Sequence, residues 1–299
     1  MKFYSNGKLL ITGEYAVLDG ALTFALPTKF GQSLEYESND SHILNWKSYD
    51  DLNSEWFQVQ IELGNHLRVI ETSDVEKAKT LVEILTTARN FNPDFLQKGA
   101  VVKTELTFPR NWGLGTSSTL INNIASWAKI DAFQLLWNSF KGSGYDIACA
   151  QNNTAITYQI QDQKPVIQPL DFKPTFSDQL YFVHLNQKQD SKEGIQHYRA
   201  LKTDKNELIQ KISALSMAAT NSVSLSDFEE IIDEHENLIS NFLQLKKVKN
   251  LFFEDYWGSI KSLGAWGGDF ILATGNENTP AYFKKKGFET VLTYQEMIL

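Results

Sequence analysis

The residue pattern predicts an α+β chain of two domains. Its 299 residues exceed the roughly 100–200 expected of one domain. Apolar and polar residues alternate in the first half, as at Phe30, Gln32, Leu34 and Tyr36, the mark of antiparallel strands with one buried face. Helical stripes dominate the second half, as at Phe228, Ile231, Ile232, Leu238, Ile239 and Phe242, spaced to place one apolar face on a core. Strands gathered ahead of helices are the α+β arrangement.

Taken in order, Lys8 opens a short apolar strand that ends at Gly13-Glu14-Tyr15. Strands over residues 30–37, 43–47 and 56–63 then form an antiparallel meander. Thr72 or Ser73 is placed to cap a helix with the stripe Val75, Ala78, Leu81, Val82, Leu85 and Ala88. Residues 102–108 alternate as a strand closed by Pro109. Helices are expected over 120–127 and 132–140, and strands over 155–159 and 166–168. The domain change falls between Asp162 and Asp178, giving domains of 1–168 and 169–299. The second opens with a strand over 179–185. Ser226 to Glu229 reads as a capping box, Pro280 starts a short helix, and 290–293 is the last strand.

Composition narrows the function. With 42% hydrophobic and 21% charged residues and no low-complexity tract, the chain is globular. A net charge of -8 argues against nucleic acid as a partner, because phosphate backbones select basic faces. A nucleotide is not excluded, since a small anion is bound by local loops. Cys149 is the only cysteine, so no intrachain disulfide can form and a reducing compartment is expected. Lys8 comes too early for a signal peptide, and no apolar run approaches membrane-spanning length. The five His residues are scattered and suggest no metal cluster. These features predict a cytoplasmic protein without a membrane partner; a monomer or homodimer is expected, without a sequence feature that chooses between them.

Three glycine-rich stretches interrupt this plan. Asn111 to Leu120 reads NWGLGTSSTL, between a strand and a helix. Gly113 and Gly115 allow a tight turn and close approach of backbone to a ligand. Thr116, Ser117 and Ser118 then stand at the helix N-terminus, where unpaired N–H groups and the dipole favour an anion. The stretch has no Lys before its Ser/Thr, so it is not a P-loop, and Ser118 replaces the last Gly of the dinucleotide fingerprint. On its own it also fits an ordinary turn with a Ser or Thr cap. Asp146, after Gly142-Ser143-Gly144-Tyr145, is likewise either a turn residue or a catalytic carboxylate held against small apolar neighbours.

The three stretches in this order resemble the GHMP kinases, named for galactokinase, homoserine, mevalonate and phosphomevalonate kinases. The first motif is matched by Gly7-Lys8-Leu9-Leu10-Ile11-Thr12-Gly13-Glu14-Tyr15-Ala16-Val17, the second by Pro109 with Gly113-Leu114-Gly115-Thr116-Ser117-Ser118, and the third by Gly264-Ala265-Trp266-Gly267-Gly268. The resemblance implies an N-terminal domain like ribosomal protein S5 domain 2 and a C-terminal ferredoxin-like domain. It implies ATP and Mg²⁺, with Gly113, Leu114, Gly115, Thr116, Ser117 and Ser118 around the triphosphate and Ser117 at the metal. Asp146 would accept or orient the proton of the acceptor hydroxyl, beside Lys8. Glu14, Tyr15, Gly144, Gly264, Ala265, Gly267 and Gly268 would lie on the side of the acceptor, a small alcohol. Gly13-Glu14-Tyr15-Ala16-Val17 and Gly267-Gly268-Asp269 look most like phosphomevalonate kinases, with mevalonate kinases the neighbouring branch. A phosphorylated acceptor would call for a further basic residue such as Lys29, Lys188, Lys192 or Arg199. Two departures stand out. The Glu that many members carry one helix before the catalytic Asp is missing, and Asp131 comes too early to replace it. Trp266 stands where a small residue is usual and is expected to narrow the third loop.

Overall fold

The computed structural model describes residues 1–140, 142–187, 191–264 and 266–299. The chain divides into two units, one made of Met1–Gly7, Phe30–Arg110 and Leu114–Gln151, the other of Lys8–Lys29, Asn111–Gly113 and Asn152–Leu299. The units interleave because strands β1 (Lys2–Thr12) and β2 (Thr23–Ser38), which pair with each other, pass through both. β1 thus starts before the expected position and Lys8 lies within it.

In the first unit β2 is followed by β3 (Ile43–Tyr49), β4 (Glu55–Glu62), β5 (Arg68–Thr72), α1 (Val75–Phe91), β6 (Ala100–Leu106), α2 (Thr116–Ala128), α3 (Ala132–Ser139) and α4 (Tyr145–Gln151). The strand order is β5-β4-β3-β6-β2. β3 and β6 are parallel neighbours, with Leu44 opposite Ala100, and the long excursion through β4, β5 and α1 supplies the crossover this demands. Leu44, Trp46 and Ser48 of β3 and Ala100, Val102, Thr104 and Leu106 of β6 point to the buried face, the period-2 pattern seen in the sequence. Helix α1 is capped by Asp74, whose carboxylate accepts the Lys77 N–H at 3.0 Å, and not by Thr72 or Ser73. The Thr72 hydroxyl is taken by Gln58 O at 3.0 Å, which keeps it on the sheet. Val75 is consequently exposed at the first turn, and Ala78, Leu81, Ile84, Leu85 and Ala88 form the buried stripe.

The two asparagines that break the apolar run of α2 are both buried. Asn123 Nδ2 donates to Gln32 O at 2.9 Å and its Oδ1 accepts the Ser5 hydroxyl at 2.8 Å. Asn122 donates to Ser5 Oγ and accepts Gln151 Nε2, each at 2.9 Å. This network ties α2 to β1, β2 and α4.

In the second unit Thr23–Ala25 of β2 pair with β7 (Ala155–Gln161), which turns back into β8 (Lys164–Leu170). Asp162 and Gln163 both have positive φ, 48° and 61°, as a type I′ hairpin requires. A second sheet is formed by β9 (Leu180–His184), β10 (Ile260–Ser262), β11 (Phe270–Thr274) and β12 (Val291–Thr293), all antiparallel in the order β10-β11-β9-β12. Helices α5 (Ser191–Ala200), α6 (Asn206–Thr220), α7 (Leu225–Leu243), α8 (Val248–Phe252), α9 (Thr279–Lys285) and α10 (Tyr294–Met297) complete the unit. β9 and β11 are buried along their whole length, so they read as apolar runs without alternation. The cap of α7 is Ser224, which accepts the Asp227 N–H at 3.2 Å, in place of the expected box from Ser226 to Glu229. The Glu229 carboxylate is engaged by the Thr274 hydroxyl instead. Among the described residues no helix is long and apolar enough to cross a membrane.

The asparagine network yields a test. Asn123→Leu would leave Ser5 and the Gln32 carbonyl buried without these partners, at a cost of about 1–3 kcal/mol per group. Urea unfolding should show a loss in that range; an unchanged midpoint would mean the network contributes no net stability.

Candidate active site

The first unit supplies a helix start and a carboxylate. β6 ends at Leu106 and the chain turns through Pro109 into the glycine loop. Gly115 is the N-cap of α2 in the left-handed region, φ 94°, and no side chain caps the helix. The Ser118 hydroxyl donates to Gly115 O at 3.0 Å and the Thr119 hydroxyl to Gln32 Oε1 at 2.8 Å, and so both turn away from the helix mouth. The expected alternative of a Ser/Thr cap is therefore absent, and the N–H groups of the first turn face outward without a capping oxygen. Leu114 is fully buried and anchors the loop, Thr116 is half-buried and Ser117 is exposed. Asp146 is the second residue of α4, preceded by Gly144 at φ 93°. Its Oδ1 lies 3.2 Å from the Ile147 N–H, which steadies the carboxylate at the helix start. Gln151 holds α4 to α2 through Asn122.

The second unit supplies a shallow recess, open to solvent and lined by Lys8, Leu9, Leu10, Trp112, Gly113, Leu263, Gly264, Asp269 and Phe270. Lys8 Nζ donates to Gly113 O at 2.9 Å. Asp269 packs on the other side of Gly113, so closely that a Cβ there would lie 2.2 Å from its carboxylate. Gly113 also has φ 67°, and both facts require glycine. Asp269 is itself in the left-handed region, φ 52°, which Asp tolerates better than most residues. Its backbone is pinned by N–H donation to Gln187 O at 3.0 Å and acceptance from Leu185 N at 2.8 Å. The Trp112 ring meets Phe270 edge-on, centroids 5.4 Å apart. His184 beside them donates through Nε2 to Asn111 O at 3.2 Å and accepts the Asn186 N–H on Nδ1 at 3.3 Å. Burial holds its imidazole below the ordinary value, consistent with that neutral tautomer.

Glu14 does not line this recess. It is 1% exposed, with Oε1 accepting from Lys261 Nζ at 2.6 Å. Burial pushes its carboxyl upward against the pull of Lys261. Lys261 also donates to Ser262 O at 2.9 Å and lies 3.9 Å from Glu236 Oε2. Glu236 accepts the Ser262 hydroxyl at 2.8 Å, and burial pushes its carboxyl up to about 7 despite Lys261 and Ser262. His235 accepts the Gly13 N–H on Nε2 at 2.8 Å. Burial, then the Lys261 charge, hold it well below the ordinary imidazole value, so it is neutral.

Tyr15 is buried, and its hydroxyl accepts the Trp266 N–H at 2.9 Å. The Trp266 ring donates to Lys246 O at 3.1 Å and packs in the cluster of Tyr15, Tyr198, Ile239 and Leu243. It fills core and does not line the recess, contrary to the expected narrowing of the loop. Gly264 and Gly267 have φ 72° and 84°, and Gly267 O accepts Gln187 Nε2 at 2.5 Å. Gly268 follows in the turn before β11, and Ala265 lies outside the described residues. Lys8, Gly113 and Gly264 are thus gathered at one recess, and Gly115, Thr116, Ser117 and Ser118 at one helix start. Sequence reasoning gave no role to Lys261, Glu236 or His235. A Lys beside Ile260 in a short apolar strand was the available signal, and it reads equally as a solvated edge.

No family model and no curated protein matches the chain, but solved structures do. The mevalonate kinase of Methanococcus jannaschii is 16% identical, over 98% of this chain and 96% of that one, with a TM-score of 0.68. The Streptococcus pneumoniae phosphomevalonate kinase in complex with phosphomevalonate and AMPPNP is 16% identical, over 98% and 99%, with a TM-score of 0.70. Lactococcus lactis galactokinase complexed with galactose is 12% identical, over 98% and 92%, with a TM-score of 0.67. At these identities the likeness establishes the fold: the chain has the two-domain α+β fold of the GHMP kinases.

Two measurements check this geometry. Gly113→Ala should cost about 1–3 kcal/mol through left-handed strain and the Asp269 contact, and Asp269→Gly in the same chain should recover part of it. Equal losses in both backgrounds, by urea unfolding, would mean the two residues do not press on each other. The second concerns pH. Folding raises the Glu236 carboxyl from 4.5 to about 7, so the folded state binds the extra proton between those values. That stabilisation is complete below the unfolded value and is lost as pH rises through about 7. Glu236→Gln, neutral throughout, should show a smaller fall in unfolding free energy from about pH 5 to 8; an equal fall would assign the dependence to another group.

Proposed function

We propose that the chain is an ATP-dependent kinase of the GHMP type, transferring the γ-phosphoryl group of ATP to a mevalonate-pathway alcohol, phosphomevalonate or mevalonate. The observation that carries this reading is the mouth of α2, a helix N-terminus opened by a left-handed glycine and left uncapped. It stands in a chain whose fold matches that of a mevalonate kinase over 98% of its length.

The residues present fit the nucleotide and its metal. N–H groups of Thr116, Ser117 and Ser118 suit a triphosphate, and the exposed Ser117 hydroxyl suits a Mg²⁺ held chiefly by phosphates. Among the described residues no group of three or more His, Cys, Asp or Glu could hold a metal. That agrees with Mg²⁺, which keeps several waters and takes few protein oxygens beside substrate phosphates. When bound, Mg²⁺ would supply neutralisation of phosphate charge. Asp146 takes or orients the proton of the acceptor hydroxyl, and Lys8 offsets charge on the transferred group. Gly144, Gly264, Gly267 and Gly268 give the acceptor side its close backbone approach, whereas Glu14 and Tyr15, being buried, act by holding their turn.

The acceptor branch is supported by Gly13-Glu14-Tyr15-Ala16-Val17 and Gly267-Gly268-Asp269. Of the basic residues considered for an acceptor phosphate, Arg199 is paired with Asp19 and Lys29 donates to Gln295 O. Lys192 is exposed, and Lys188 lies outside the described residues. The single buried Cys149 supports a reducing, cytoplasmic setting.

The test is ADP release with ATP, Mg²⁺ and, in turn, mevalonate, phosphomevalonate, homoserine and sugars. Release dependent on one of the first two is expected; ATP binding without turnover on any alcohol would make the protein a binding module. On the responding acceptor, Asp146→Asn should lower kcat by ~10²–10⁴-fold while calorimetric ATP affinity is kept. Lys8→Met should lower kcat as well, and the double variant should lose less than the product, because both groups serve one transition state. Near-full turnover in Asp146→Asn would make Asp146 a turn residue.

A further inference from the structure

The cluster of Glu14, Lys261, Glu236 and His235 lies outside the recess, and all four side chains are at most 1% exposed. Burying ions costs several kcal/mol each, and such groups are often replaceable by apolar residues without loss of stability. Among the described residues two buried atoms, Glu14 Oε2 and His235 Nδ1, have no hydrogen-bond partner, so the cluster is not optimised for stability.

Its effect is geometric. Three consecutive residues after β1 are each held by a different element. Gly13 N–H is held by His235 of α7, Glu14 by Lys261 of β10, and Tyr15 by the N–H of Trp266 in the third glycine loop. Tyr15 has φ 60°, a conformation that persists in a non-glycine residue only where the surroundings impose it. The two segments that line the recess as Lys8–Leu10 and as Leu263 and Gly264 both adjoin this cluster, the first in β1 and the second directly after β10.

We infer that Lys261 is a positioning residue: its buried bond to Glu14 sets the turn after β1 in register with the third glycine loop, and thereby shapes the Lys8–Gly113–Asp269 recess. For its effect on turnover this rests on the kinase reading; for its effect on backbone order it does not.

The experiment compares wild type, Lys261→Met and Glu14→Gln/Lys261→Met by thermal unfolding, by amide hydrogen exchange at Gly13 and Trp266, and by kcat/KM on the responding acceptor. Lys261→Met should lower Tm, because it strands Glu14 without its partner. The double variant removes both charges and should recover most of that Tm loss. If Lys261 positions the two segments, the double variant still exchanges faster than wild type at Gly13 and Trp266. Its kcat/KM should also stay down by about 10²-fold, the scale of a displacement near 1 Å. Return of protection and turnover together with Tm would overturn the inference and leave the cluster a stability element. Should Lys261→Met not fold, the double variant alone decides by the same two readouts. Wild type without turnover on any alcohol would sink the kinase reading, while the exchange comparison would still decide the role of Lys261.

Discussion

The ion pair between Glu14 and Lys261 is the constraint on which the second unit's recess depends. Two opposite charges at 2.6 Å in a buried site attract far more strongly than on a surface, and each is costly if its partner moves away. That makes the contact nearly all-or-none: the turn after β1 and the strand β10 are held at one spacing or the cluster comes apart. Glu236 softens this arrangement, since a carboxyl pushed up to about 7 can give up its charge where a fixed ion could not. His235 contributes as a neutral acceptor for the Gly13 N–H and adds no further charge.

Close approach explains the glycines around this constraint. At Gly13, φ 101°, a Cβ would come within 2.2 Å of the Thr23 side chain, and at Gly113 it would meet the Asp269 carboxylate. A side chain at either position would push apart segments packed beside this constraint, the turn after β1 from Thr23 of β2 and the Gly113 loop from Asp269. Asp269 shows the complementary case, a charged residue in a left-handed conformation whose backbone is bonded on both sides.

Phosphoryl transfer asks a protein for position and electrostatics more than for covalent chemistry, and these are the features at hand. The uncapped start of α2 offers oriented N–H dipoles whose direction is fixed by helix geometry, backed by the buried Asn122 and Asn123 network. On the proposed kinase reading, Lys8, directed by the Gly113 carbonyl, and Asp146, held at the first turn of α4, would meet their ligands already oriented.

Much of the fold was legible because it is written in local periodicity. The alternation in β2, β3 and β6, the stripe of α1 and the Gly-x-Gly before α2 each need only a few adjacent residues to be read. Cap positions were less legible: Asp74 and Ser224 outcompeted Thr72, Ser73 and Ser226, because several Ser, Thr and Asp residues stand within a turn of each start, and at α1 pairing of Thr72 and Ser73 with Gln58 chooses among them. The recess was half legible, since Lys8, Trp112, Gly113 and Gly264 lie in glycine-marked stretches while Leu263 and Phe270 lie outside them. The buried cluster was not legible at all. Glu14 and Lys261 are 247 residues apart and Gly13 and His235 are 222 apart. Each charged residue alone reads as solvent-facing, because burial of a charge is permitted only by a partner that local pattern cannot supply. The sequence by itself determined the fold class and the three glycine stretches; tertiary structure decided which charges go inside, because that depends on pairs brought together only by the folded chain.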